Sequence, residues 1–297
     1  MKAVLVAEGS FRASRELSRQ IGGFTQGERY ADVLRGLAPN LRVDLYDLPD
    51  ADAPPPLPLE SYDGIVITGS PLHVYEDRPE VHRQTDFARQ VFEIGTPFFG
   101  SCWGLQVATV VAGGLVEMNV RGREIGFARR INLTEAGRSH PMHVGRATSY
   151  DAPAVHTDIV TRLAEGTIVT ATNSMSDVQA AEIRHANGVF WGVQYHPEYS
   201  LRDLTDVLVR YEETLIGTEN YFRDTGDLDA YVRDLRTLGD DRSRRDIAWR
   251  YAIDEDLLDD SKRNCELRNW LSSCVGIATV PPSSGGIFIN YNVQRVR

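Results

Sequence analysis

Two glycines constrain the middle of this chain more than any other feature. In Phe98-Phe99-Gly100-Ser101-Cys102-Trp103-Gly104-Leu105-Gln106, Gly100 and Gly104 flank Cys102 two residues to either side. Pro97 to Phe99 reads as a short buried strand. From Leu105 the apolar run continues as a buried helix, stopped by Gly113-Gly114. A sharp strand-to-helix turn holds the central residue in a strained conformation and brings the residues two before and two after too close for side chains. It also puts the sulfur at a helix N-terminus, where the dipole and free N–H groups favour a thiolate. A small buried cysteine in a glycine-rich loop would give the same pentapeptide, so a second signal is needed.

That signal lies ninety residues on. Val189 to Tyr195 reads as a strand and runs into His196-Pro197-Glu198. A histidine at a strand end can act as general base for a thiol, and a carboxylate two residues later can orient the imidazole and stabilise its cation. A lone His-x-Glu would read as a surface histidine beside a surface glutamate. The order Cys, His, Glu, each at the end of an expected strand, favours a nucleophilic triad.

Together, Gly-Ser-Cys-Trp-Gly-Leu-Gln and Gly-Val-Gln-Tyr-His-Pro-Glu resemble the class I (triad) glutamine amidotransferases, and among them the glutaminase domain of GMP synthetase. The resemblance runs from Met1 to about Leu215. It implies Cys102 as nucleophile, His196 as base and Glu198 as its orienting acid, with no cofactor and no metal. It implies an oxyanion hole from the backbone amides of Gly69 or Ser70 and of Trp103. The family often has a second glycine where Ser70 stands. Val155-His156-Thr157-Asp158 is similar to the family's Ser-His-Gly-Asp segment, with Thr157 replacing glycine. That likeness puts His156 and Asp158 beside the amino-acid end of the substrate, where Asp158 would pair with its ammonium. Gln106 matches the family glutamine that touches substrate.

Along the chain, Met1 to Glu8 reads as a first buried strand. Glu8 to Gly27 is expected to be a loop over the site, leading to a helix near Tyr30 to Gly36. Further strands are expected at Leu41 to Tyr46, Gly64 to Thr68, Phe127 to Leu133, Thr167 to Thr172 and Val178 to Arg184, and a polar helix at Pro79 to Glu93. Asn187-Gly188 is a hairpin signal before the His-bearing strand. Strands alternating with helices predict an α/β fold. Its core is a mostly parallel open sheet with helices on both faces, flavodoxin-like as the resemblance implies, and sites fall at the strand C-terminal ends. Composition shifts after Leu215. The expected organisation is an amidotransferase domain over residues 1–216, a helical appendage over 217–271 and an extension of unknown role over 272–297. Ser284-Gly285-Gly286 is similar to the start of the ATP-pyrophosphatase signature of GMP synthetase, but the Asp-Ser that completes it is missing. His140 and His143 have the spacing of a metal pair, yet no helix or nearby acid in sequence supports a metal site.

A net charge of −10 disfavours nonspecific binding to nucleic acid or anionic membranes. No apolar run approaches the ~20 residues of a membrane span. Three cysteines form no even framework, which suits a reducing cytoplasm. The expected function is hydrolysis of the γ-amide of glutamine through a γ-glutamyl thioester. The released ammonia would pass to an unidentified acceptor, supplied where needed by a separate synthase subunit. The alternatives are a γ-glutamyl peptidase or γ-glutamyl-amine hydrolase with the same triad, and a noncatalytic regulatory module on the same fold. The charged C-terminal helices are either a cap or a partner surface, a homodimer contact included.

Overall fold

The computed structural model describes residues 1–52 and 54–281. Among them, strands β1 (Ala3–Ala7), β2 (Arg42–Tyr46), β3 (Gly64–Ile67), β4 (Phe98–Ser101), β5 (Leu115–Met118), β6 (Glu124–Leu133), β7 (Ser149–His156), β8 (Asp158–Arg162), β9 (Thr167–Thr172), β10 (Ala180–His185) and β11 (Gly188–Val193) follow one another along the chain. Nine of them form one sheet in the order β2-β1-β3-β4-β11-β10-β9-β6-β7. The first five run parallel, with Ile65 and Phe190 both opposite Phe98. The last four are antiparallel neighbours. Strands β5 and β8 make a separate two-stranded ribbon.

Alternation along the parallel strands sorts side chains to two cores. Val4, Val6, Val66 and Phe99 face one side, with Tyr30, Val33 and Leu34 of α2 (Gln26–Leu37). Leu5, Ala7, Ile65, Ile67 and Phe98 face the other, under α3 (Pro79–Ile94) and α4 (Trp103–Val111). Helix α2 begins with a complete capping box between Thr25 and Glu28. Helix α3 has Pro79 in its first turn and ends on Gly95 at φ 78°.

The segment from Glu8 to Gly27 is not a loop. It carries α1 (Arg12–Gly22), whose buried residues are Ser14 and Arg15. Arg15 is buried there and pairs with Asp50 at 2.9 Å, so its arginines are partly structural rather than loop polarity.

The short α5 (Glu135–Ser139) follows β6, and C-terminal helices close the chain: α6 (Leu201–Arg210), α7 (Glu212–Gly217), α8 (Thr225–Asp240), α9 (Arg245–Arg250), α10 (Glu255–Leu258), α11 (Asp260–Arg263) and α12 (Cys265–Trp270). Helices α6, α8, α9 and α10 share a third core through Leu204, Leu208, Leu235, Ile247 and Leu257. Helix α12 instead returns to the main sheet. Leu267, Trp270, Leu271 and Val275 pack in the cluster that contains Val4, Val6 and Phe99. A Cβ on Gly64 would come 2.7 Å from Val275 and 2.9 Å from Trp270, so the backbone of β3 touches this C-terminal turn directly. Ser284-Gly285-Gly286 lie outside the described residues.

Candidate active site

The C-terminal ends of β1, β3, β4 and β11 converge, as the rule for open parallel sheets requires. Cys102 sits between β4 and α4 at φ 51° and ψ −98°, a conformation that costs a non-glycine residue on the order of 1–3 kcal/mol. Its N–H donates to Val193 O at 2.7 Å, which ties the turn to the neighbouring strand. The two glycines are needed for contact. A Cβ on Gly104 would lie 2.5 Å from Ile67 O, and one on Gly100 would lie 2.8 Å from the Gly104 backbone. The Cys102 Sγ lies 3.6 Å from Val155 O at the edge of a cleft.

His196 follows β11 and its N–H donates to Pro153 O at 2.7 Å. Its Nδ1 donates to Glu198 Oε1 at 2.7 Å, and both side chains are almost wholly buried. The imidazole stacks flat on Tyr199. Its Nε2 has no well-aligned hydrogen-bond partner among the described residues. Cys102 is nevertheless close enough to act on the ring. Burial opposes the charge on His196, but Glu198 and the Cys102 sulfur outweigh it and raise the imidazole pKa to about 10. The structure therefore brings the three expected triad residues together.

Thr68-Gly69-Ser70 leaves the end of β3 beside them. A Cβ on Gly69 would meet His196 Cε1 at 2.8 Å and Gln26 Oε1 at 2.7 Å, so only glycine lets this loop approach the imidazole. The Trp103 amide is the first N–H of α4 and has no partner in its own helix. The Trp103 indole, however, is fully buried beneath the elbow, where Nε1 donates to Gln84 Oε1 at 2.7 Å. It is no part of the cleft wall. Gln84 Nε2 in turn donates to Gly9 O, and the Gly9 N–H donates to Thr68 Oγ1. Glu8 closes the net by accepting from the amides of Gly27 and Ser10. Burial raises the Glu8 pKa, against the pull of those hydrogen bonds.

Beyond Cys102 lies a cleft lined in part by Ser70, Gln106, Arg123, His156, Asp158 and Tyr211. Asp158 is not a free carboxylate. It accepts from His73 Nδ1 at 2.7 Å and from the Tyr75 hydroxyl at 3.3 Å. The His73 pKa is raised by that hydrogen bond. His156 is also fully engaged: Nε2 pairs with Glu124 Oε2 at 2.8 Å, and Nδ1 donates to Asp158 O at 3.1 Å. Gln106 Nε2 donates to the same carbonyl at 3.3 Å. His156 and Gln106 thus hold the backbone that presents Asp158.

Sequence reasoning missed Arg123, Tyr211, Glu124, Tyr30 and Gln84. Arg123 carries the cation of the cleft. Its Nε donates to both Glu219 oxygens, at 3.0 and 3.1 Å, and its guanidinium stacks on Tyr211 at 4.8 Å. No spacing marked it, because its neighbours come from the residues on either side of α7, about ninety positions away. His140 and His143 have acids beside them after all. His140 Nε2 pairs with Glu182 at 3.1 Å, and His143 faces Thr170 and Glu266. No group of three metal-ligating side chains occurs among the described residues.

The model of the class I glutamine amidotransferases matches residues 30–212 of the chain. The chain belongs to that family. It is 38% identical over 221 residues to a γ-glutamyl-L-1-hydroxyisopropylamide hydrolase from a Pseudomonas species, covering 73% of this chain and 75% of the relative. It is 30% identical over 175 residues to a glutamine-hydrolysing GMP synthase from Lactococcus lactis; the match covers 58% of this chain but only 32% of the synthase. Among solved structures it resembles a glutamine amidotransferase from Thermotoga maritima, with a TM-score of 0.64 at 18% identity over 92% of this chain and 98% of that one. A glutamine amidotransferase from Methylobacillus flagellatus gives 0.63 at 16% identity over 96% and 99%. These neighbours cover the C-terminal helices as well as the sheet. The chain is an enzyme of this family, and no helix among the described residues is long and apolar enough to cross a membrane.

Proposed function

We propose that the enzyme hydrolyses the γ-amide bond of a γ-glutamyl amide whose leaving group is ammonia or a small amine. The observation that carries this is the strained Cys102 at the N-terminus of α4, facing a buried His196 that Glu198 orients. With its pKa raised, His196 is suited to take the Cys102 proton as the sulfur attacks. The sulfur adds to the γ-carbonyl carbon. The developing oxyanion is taken by the backbone amides of Ser70 or Gly69 and of Trp103, typically ~2.7–4 kcal/mol per donor. The C–N bond then breaks as His196 gives its proton to the departing nitrogen, leaving a γ-glutamyl thioester. Water, deprotonated by His196, cleaves the thioester to glutamate and regenerates the thiolate.

The glutamyl end lies in the cleft, its ammonium on Asp158 and its α-carboxylate toward Arg123. A fixed acid and a fixed cation lining one cleft suit a zwitterionic amino acid. His73 lines the cleft, and the half-exposed Tyr75 reaches Asp158 beside it, so both would meet a leaving amine larger than ammonia.

Similarity to the γ-glutamyl-L-1-hydroxyisopropylamide hydrolase supports an alkylamide substrate. Similarity to the GMP synthases supports a second reading, in which glutamine is the substrate and ammonia goes to a separate synthase subunit. Comparing kcat/KM for glutamine, γ-glutamyl alkylamides and γ-glutamyl peptides separates them. Preference for alkylamides by tenfold or more supports the first reading. Preference for glutamine overturns it in favour of the second.

A further inference from the structure

Glu198 has two carboxylate oxygens, and the triad uses only one. Oε1 accepts from His196. Oε2 accepts from the Ser101 hydroxyl at 3.0 Å. Ser101 Oγ is in turn 2.7 Å from the Tyr30 hydroxyl. Because a carboxylate can only accept, Ser101 spends its proton on Glu198, and Tyr30 must donate to Ser101. Tyr30 and Ser101 are fully shielded from solvent, and Glu198 is 2% exposed.

We propose that Ser101 and Tyr30 form a positioning pair that clamps the second oxygen of Glu198, so that the carboxylate cannot rotate away from His196. Neither residue touches substrate; both act through Glu198 and His196. The inference rests on the Cys-His-Glu reading above.

The physical argument concerns what a two-atom carboxyl can do. Held by one hydrogen bond, it turns about its own axis and exchanges oxygens. Held at both ends, by groups from α2, β4 and its own turn, it has one orientation. The groups facing Glu198 are His196 and Tyr199 on its own turn, Ser101 from β4, and Tyr30 from α2. Among them, only Ser101 donates to Oε2. The pair also ties the elbow to α2, since Ser101 immediately precedes Cys102.

The test uses the full chain as wild type, Ser101→Ala, Tyr30→Phe and the double variant. Two readouts are taken at pH 7: kcat and KM on the best γ-glutamyl substrate, and the rate of alkylation of Cys102 by iodoacetamide, followed on the Cys102 peptide by mass spectrometry. Ser101→Ala is expected to lower kcat and alkylation about tenfold, the scale of a lost hydrogen bond to a charged group, with KM within twofold. Tyr30→Phe is expected to lower them about threefold, and to have no further effect on the Ser101→Ala background. Both substitutions remove only a hydroxyl, and Tyr30→Phe keeps the ring in the core. Unchanged kcat and alkylation in both single variants, additive effects, or losses confined to KM would overturn the positioning pair. Alkylation of wild-type Cys102 no faster than that of a free thiol would instead overturn the triad reading.

Discussion

The imidazole of His196 lies flat against the ring of Tyr199, centroids 4.2 Å apart and planes 2° from parallel. Glu198 fixes the ring's rotation through Nδ1, and Tyr199 fixes its plane. Such aromatic contacts contribute ~0.5–1.5 kcal/mol beyond area burial. Tyr199→Phe keeps the stacked face and is expected to stay within about twofold of wild-type kcat. Tyr199→Leu loses it and is expected to fall about tenfold or more, which steady-state kinetics on the two variants checks.

The elbow glycines make a stability prediction. Gly104→Ala places a Cβ 2.5 Å from the Ile67 carbonyl, which is backbone and cannot step aside. A cost of ~1–3 kcal/mol is expected in urea unfolding, together with loss of activity as α4 shifts. At Gly113, where a Cβ meets nothing within 4 Å but φ is 96°, alanine is expected to cost only the backbone strain, about 1 kcal/mol, and to leave activity intact.

The cleft predicts how the amino-acid end is read. Asp158→Asn is expected to raise KM for a γ-glutamyl substrate by ten- to a hundredfold while kcat changes less. The same variant should lose discrimination against a substrate lacking the α-amino group. Kinetics with glutamine and its deaminated analogue measure both, and an unchanged ratio would remove the ammonium from Asp158.

Acid stability is predicted from two buried acids. Burial pushes Glu266 up, but Arg146 and His143 outweigh it and bring its pKa down to about 2. Glu182 is lowered to about 2, chiefly by its hydrogen bond from His140. Unfolded, both return to about 4.5. Their contributions are therefore present above pH 4.5 and lost as pH falls from there toward 2. Thermal unfolding followed from pH 6 to pH 2 should show this loss. Glu266→Gln leaves the Arg146 guanidinium buried without its carboxylate and is expected to cost ~3–5 kcal/mol at neutral pH.

How much of this was legible in the sequence follows the range of the interactions. Cys102, Gly100 and Gly104 are local: one turn fixes their spacing, and the spacing is visible. His196 and Glu198 are local to each other, and the strand before them is a continuous apolar run. The parallel strands β1, β3, β4 and β11 are buried on both faces and show as such. Strands β5, β7 and β8 were not anticipated, because Leu115 and Met118 are exposed and Pro153 interrupts β7. Helix α1 was missed because its buried positions are Ser14 and Arg15, which no apolar periodicity marks. Arg123 meets Glu219, and Tyr30 meets Ser101, across 96 and 71 residues. Pairings at that distance leave no trace in spacing.

The γ-glutamyl thioester on Cys102 is the intermediate on which the mechanism turns, and it can be trapped. The full chain is mixed with a γ-glutamyl alkylamide, quenched in acid within milliseconds to seconds, and its peptides are weighed. A γ-glutamyl adduct is expected on the Cys102 peptide alone, formed with release of one equivalent of amine and absent from Cys102→Ala. Amine released at the wild-type rate by Cys102→Ala, or an adduct on any other residue, would contradict it.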